Sequence, residues 1–253
     1  MGQVVDTDTA KEFMRETLER VDVDELGRIC AEVEAKSEWF RERLAPDALA
    51  ELGSDDFGVI QRRIFSTRGK TRRTLADLDW PQLRDWIATL LFGGDDVRDR
   101  FQEFVDRLRA AGIAENLSAD FASELLHFVD PERHWLWTRW MWDPRTRTGA
   151  LPLVTTAAYD LTGAGAGEVY LKVGRAMAFV HEVGEAAGFQ RISRTIFGTD
   201  VFLACVYAIY TYTVLRMRMT KEFNKVMPQL PELTRRLLGV HHRASRAAET
   251  AEA

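Results

Sequence analysis

The stretch "LGRICAEVEAKSEWFRERL", residues 26–44, carries the pattern that most directly predicts the fold. Its core-type side chains recur at steps of four and three residues, at Leu26, Cys30, Val33, Ser37, Phe40 and Leu44. This is the spacing of a helix that packs lengthwise along another helix. A shorter apolar stripe from Phe13 to Val21 precedes it, after Thr9 and Glu12 in the spacing of a capping box. Residues 1–52 are therefore predicted to form a helical hairpin, which Pro46 and Gly53 end.

Helical periodicity continues through most of the chain, which has 253 residues and 46% apolar content, enough for a sizeable core. We predict an all-α, multi-helix globular bundle. Its helical body spans residues 58–242, with one long irregular loop at about 143–167 and at most one short strand near residues 151–155. Residues 243–253, small and polar, are predicted to be a disordered tail.

Charge is distributed unevenly along the chain. Residues 1–52 contain fourteen acidic and seven basic residues, whereas the remainder is slightly basic. Cys30 and Cys205 lie far apart without a C-x-x-C motif, which favours a reducing, cytoplasmic setting. The apolar stretch 196–215 has the length of a membrane span, but Asp200 and several Thr and Tyr residues dilute it. We expect it to be a buried core helix and expect no membrane association.

Six basic residues fall within twelve positions and form the strongest electrostatic feature: Arg62, Arg63, Arg68, Lys70, Arg72 and Arg73. One interpretation is a surface that contacts the phosphates of a nucleic acid or another anion. The other is a solvated face that offsets the acidic hairpin. Both interpretations place these side chains on the outside.

The stretch "HWLWTRWMWDPRTRTG", residues 134–149, contains four of the seven tryptophans. On a helix, Trp135 and Trp142 would share one face and Trp137 and Trp140 the other, with Arg133 one turn before Trp137. We expect the first pair to be buried. The second pair, with Arg133, would form an exposed aromatic platform for a base, a flat ligand or a partner protein. In the alternative interpretation all four indoles belong to the core.

No set of residues predicts catalysis. Glu124 and His127 have the Glu-x-x-His spacing of di-iron bundles but lack a second copy, so we expect a hydrogen-bonded histidine and no metal. The glycine-rich loop 163–167 precedes a helix, as in phosphate sites, yet follows no predicted strand, and a flexible loop fits it better. A thiol at Cys205 would stay protonated in its apolar helix. We predict neither a cofactor nor a catalytic residue.

The segment "ADFASELLHFVDPERHWLWT", residues 119–138, resembles a helical segment of many McrB-type restriction ATPases and, more remotely, of helix-hairpin-helix DNA glycosylases. The shared pattern is F-A-S-x-L-L-x-F followed by D-P-E-R and an aromatic residue, here Phe121, Ala122, Ser123, Leu125, Leu126, Phe128, Asp130, Pro131, Glu132 and Arg133. The resemblance implies a helical scaffold with the capacity to bind DNA. It does not imply base excision, because Thr138 stands where the glycosylases place their catalytic aspartate.

These features together predict a non-catalytic interaction protein that binds a partner through a basic and aromatic surface, nucleic acid being one candidate. The acidic hairpin is expected to contact protein, either the body of the chain or a second copy in a homo-oligomer. A second reading is an accessory subunit or maturation factor of a metabolic enzyme complex, and a third is an enzyme that uses the loop 163–167.

Overall fold

The computed structural model describes residues 4–67, 70–218 and 228–241. These residues form thirteen α-helices and one short 3-10 helix at Phe189–Arg191. The α-helices are α1 (Thr7–Leu18), α2 (Val23–Arg43), α3 (Pro46–Glu51), α4 (Ser54–Arg63), α5 (Lys70–Ala76), α6 (Trp80–Phe92), α7 (Val97–Ala110), α8 (Glu115–Val129), α9 (Leu151–Val154), α10 (Ala166–Glu182), α11 (Gly184–Ala187), α12 (Ile196–Arg218) and α13 (Leu230–Leu238). No strand occurs in the described ranges, so the predicted all-α bundle is confirmed.

Helix α8 lies at the centre of the fold. Every one of its residues from Ser118 to Val129 is buried, because α2, α6 and α7 pack around it. A short turn joins α7 to α8, and Gly112 adopts a positive φ of 88° there, a conformation that glycine reaches without strain. Helices α7 and α8 thus pack against each other across this turn, and α8 is the inner one of the two.

Helix α12 forms a second buried centre. Residues 201–206 are without exception fully buried, since α1, α2, α10 and α13 pack against this helix. The stretch Ile196–Leu215 is long and apolar enough to cross a membrane, and 67% of its most apolar window is buried by the rest of the chain. This burial is what a core helix requires.

The N-terminal hairpin packs on the body. The predicted stripe of α2 is buried at all six positions and faces α8, α12 and α13. The N-cap of helix α1 is Asp6, whose carboxylate accepts a hydrogen bond from the Thr9 amide at 3.0 Å. Thr9 therefore lies inside the helix and is not its cap. The hairpin and the body therefore share one hydrophobic core, and this stripe leaves no apolar face for a second copy.

The loop 143–167 is irregular as predicted, except for the short helix α9 and for residues 166–167, which begin α10. Residues 151–154, where at most one short strand was expected, form helix α9, because Pro152 in the first turn fits a helix start. Only an isolated antiparallel bridge between Val5 and Thr155 forms there. This bridge ties the beginning of the chain to the long loop.

Candidate functional site

The tryptophan segment, residues 134–149, is not helical. Side chains of α8 bind its backbone instead: Ser123 Oγ accepts from the Trp137 amide at 2.6 Å, and Asp120 accepts from the Arg139 amide at 2.9 Å. These contacts satisfy amides that a helix would pair internally. The helical phase used to sort the four indoles therefore does not apply.

The predicted aromatic platform is not formed. Trp137 and Trp140 are only 5% and 3% exposed, so the expectation that they are the accessible pair is wrong. Trp142 is buried as predicted, whereas Trp135 is half-exposed and is the most accessible of the four. Arg133 is exposed and lies 3.7 Å from Asp130. The three indoles at 137, 140 and 142 belong to the core, which was the alternative interpretation for the second pair.

A stripe of buried polar side chains runs along α8, spaced as one helical face: Asp120, Ser123, Glu124 and His127. Each member binds a different part of the fold. Glu124 accepts from the Phe65 amide at 3.1 Å and lies 3.4 Å from the ammonium group of Lys36 on α2. Buried polar groups of this kind are tolerated only when they are paired. The stripe therefore fixes α8 against its surroundings.

His127, in the same stripe, contacts acceptors on both ring nitrogens. Its Nδ1 lies 2.8 Å from the carbonyl oxygen of His134, and its Nε2 lies 2.9 Å from Asp200 Oδ2 on α12. A carbonyl oxygen can only accept, so Nδ1 donates to His134, and Nε2 faces the carboxylate of Asp200. The predicted hydrogen-bonded histidine is confirmed, and both Glu124 and His127 already have protein partners.

Asp120 is the titratable group of the stripe with the most altered environment. Burial raises the pKa of Asp120 to about 7, against the opposing effect of Arg139, whose Nε lies 2.6 Å from the carboxylate. The thiols are also shifted, because burial raises the pKa of Cys30 to about 11 and that of Cys205 to about 12. Both thiols therefore remain protonated at neutral pH, as predicted for Cys205. In the described part of the chain, no group of three or more His, Cys, Asp or Glu residues is arranged to hold a metal ion.

The glycines of the loop 163–167 serve packing. A side chain at Gly167 would lie 2.2 Å from the Arg98 carbonyl oxygen of α7, and one at Gly165 would collide with Gln102. Gln102 accepts a hydrogen bond from the Gly167 amide at 3.0 Å, and Glu168 accepts one from the Ala164 amide at 2.8 Å. Two of the amides near this helix start are thus occupied by the chain itself.

The basic segment 62–73 lies at the surface as far as the structure describes it. Arg62 and Arg73 are exposed and Arg63 is half-buried. Arg68 lies outside the described residues, and for Lys70 and Arg72 only the backbone is described. The segment therefore contributes three placed guanidinium groups, two at the end of α4 and one on α5.

The guanidinium groups of two arginines lie near the ring of one indole, and the sequence pattern did not predict this contact. The guanidinium carbon of Arg63 lies 4.1 Å from the ring centroid of Trp39, and that of Arg43 lies 5.4 Å from it. We call Trp39, Arg43 and Arg63 the Trp39 cluster. Arg43 belongs to the acidic hairpin, so the local composition of the sequence does not single it out, and it approaches Arg63 only because both side chains lie over Trp39 in the folded chain.

The placed arginines at the ends of α2 and α4 and on α5 have no acidic partner in the described residues. Arg41, Arg43, Arg62, Arg63 and Arg73 form no ion pair there. The hairpin's carboxylates pair elsewhere: Glu25 and Glu32 bind Arg235 of α13 at 2.7 and 2.8 Å. Helix α13 thus pairs two of the hairpin's acidic residues, whereas the placed arginines of the basic segment pair with none of them in the described residues.

Comparison of the chain with protein-family models, with curated proteins and with solved structures finds no match. No relative therefore indicates a function, and the geometry of the site is the evidence for one.

Proposed function

We propose that the protein is a non-catalytic interaction protein that binds a polyanion, a nucleic acid in the first place, through the Trp39 cluster and the adjoining basic segment 62–73. One observation carries this proposal: five placed arginines at the ends of α2 and α4 and on α5 have no ion pair among the described residues. Arg107 and Arg109, by contrast, form ion pairs with Glu103 and Asp106.

Unpaired guanidinium groups on one surface suit phosphate binding. Arginine presents several donors in a planar fork that matches phosphate oxygens, and each phosphate contact releases condensed counterions from a nucleic acid. Trp39 supports this arrangement because its ring attracts the two cations that would otherwise repel each other. The aromatic contribution that we expected from Trp137 and Trp140 is thereby assigned to Trp39.

The resemblance of residues 119–138 to DNA-binding helical segments points in the same direction. In this chain those residues form the buried helix α8 and the turn after it. They would act as the scaffold that holds the surface, and the contacts with a nucleic acid would come from α2, α4 and α5.

The direct test is fluorescence anisotropy with labelled single-stranded RNA, single-stranded DNA and duplex DNA at low ionic strength. The double variant Arg43→Ala/Arg63→Ala should weaken binding at least tenfold, since each arginine contributes a phosphate contact. The matched control is Arg107→Ala/Arg109→Ala, which removes the same charge. In wild type, Arg107 also lies beside an indole, 5.9 Å from Trp86, but it is ion-paired.

Equal weakening by both double variants would show that only net charge matters and would refute a defined site. Absence of binding by the wild-type chain to all three probes would refute the nucleic-acid proposal. Co-purification with a large enzyme would then favour the accessory-subunit reading.

A further inference from the structure

A cavity of about 190 Å³ lies where the first turns of α8 meet the tryptophan segment and the start of α10. Its apolar walls come from Ala119, Trp137, Trp142, Pro144 and Ala166. An engineered cavity of about 150 Å³ binds benzene, so this space accepts a body of one ring or two fused rings. Ligand sites are typically concave and mostly apolar, with a few placed polar groups.

Arg139 is the placed polar group of this cavity. Asp120 holds its backbone amide at 2.9 Å and its Nε at 2.6 Å, so the buried carboxylate fixes the guanidinium by one edge. The two Nη amino groups on the other edge have no partner among the described residues, and 34% of the side chain is exposed. An arginine fixed in this way presents two parallel donors to a carboxylate.

A second arginine reaches the same cavity from a rigid hairpin. Asp143 Oδ1 accepts from the Arg145 amide at 2.9 Å, and the Asp143 amide donates to the Thr148 carbonyl oxygen at 2.8 Å. Arg145 lines the cavity, is exposed and has no ion pair in the described part of the chain. Arg147 on the same hairpin does not line this cavity.

The remaining charges of the lining leave these donors available. Helix α8 begins here without a side-chain cap, so its first turn adds partial positive charge. Of the acidic residues, Asp120 is engaged by Arg139, Glu115 lies 3.5 Å from Arg109, and Asp143 accepts a hydrogen bond within its own turn.

We propose that this cavity binds a small planar organic carboxylate, with its ring body against the two indoles and its carboxylate on Arg139 and Arg145. This site is separate from the Trp39 cluster and does not depend on polyanion binding. A larger charged groove lies between residues 18–28 and the start of α13, but Arg20, Arg28 and Arg235 there are already ion-paired.

The test is isothermal titration calorimetry of the full chain with 2-naphthoate, benzoate and the neutral amide 2-naphthamide. We expect 2-naphthoate to bind at least tenfold more tightly than 2-naphthamide, because the amide keeps the ring body and loses the charge. Arg145→Gln should weaken 2-naphthoate at least fivefold, whereas Arg147→Gln, on the same hairpin, should leave it unchanged.

Two further variants test the location and remain interpretable if one of them is unstable. Ala166→Leu should fill the cavity and abolish binding, and Arg139→Gln should reduce it more than Arg145→Gln does. Equal affinity for the acid and the amide, equal effects of Arg145→Gln and Arg147→Gln, or no binding of either carboxylate at millimolar concentration would overturn the proposal.

Discussion

Replacement of Trp140 by alanine should destabilise the protein strongly. The indole is 3% exposed and packs near Tyr207, with the ring centroids 6.3 Å apart. Truncation of a buried tryptophan removes most of its contacts and leaves a cavity, at a cost of about 3–5 kcal/mol. In a chain of this length each kcal/mol lowers the melting temperature by about 2–4 °C, so we expect a decrease of roughly 6–20 °C.

Phenylalanine variants separate packing from hydrogen bonding. Trp137 Nε1 donates to the Trp142 carbonyl oxygen at 2.9 Å, whereas Trp140 Nε1 is buried and has no hydrogen-bond partner among the described residues. Trp137→Phe should therefore cost about 1–3 kcal/mol more than Trp140→Phe, because it leaves a buried carbonyl unpaired. Urea unfolding and thermal circular dichroism measure both differences. A Trp140→Ala variant that melts within about 2 °C of wild type would refute this reasoning.

Three other predictions follow from the core. Because burial raises the folded-state pKa of Asp120 from 3.8 to about 7, the folded chain holds a proton that the unfolded chain has lost, and stability falls as pH rises through this range. Relative to Asp120→Asn, wild type should lose about 3 kcal/mol between pH 4 and pH 7 in urea titrations, and parallel pH profiles would contradict this. Deletion of residues 1–52 should abolish cooperative unfolding, because it removes the Lys36 ammonium group beside Glu124 and exposes the faces of α8 and α12 that α2 covers. A fragment that still unfolds cooperatively would show that the hairpin is separable. Cys30 and Cys205 should react with a thiol reagent only at the rate of unfolding, and rapid labelling of the native chain would contradict their burial.

Periodicity predicted the helices well where an apolar stripe follows one face. In α2 the pattern from Leu26 to Leu44 both identified the helix and selected its buried side. The same reasoning applied to α8 could not foresee that its polar side chains are buried. Glu124 and His127 are buried because partners arrive from α2 and α12, which are distant in sequence.

The tryptophan segment shows why helical spacing along the sequence did not predict which of the four indoles are exposed. Its residues carry no strong helix breaker before Pro144, yet Ser123 and Asp120 bind its amides and it forms no helix. The Trp39 cluster was missed for a related reason. Arg43 and Arg63 are twenty positions apart in the sequence, and their side chains come together at Trp39 only in the folded chain.

The salt dependence of nucleic-acid binding tests the central claim most directly. The logarithm of the binding constant should fall with the logarithm of salt concentration, with a slope near 0.7 per phosphate contact on single strands and 0.9 on duplex DNA. Arg43→Ala/Arg63→Ala should reduce the magnitude of the slope by roughly 1.4–1.8, whereas Arg107→Ala/Arg109→Ala should leave it unchanged. Identical slopes for the wild type and Arg43→Ala/Arg63→Ala would contradict a phosphate-binding surface at Trp39.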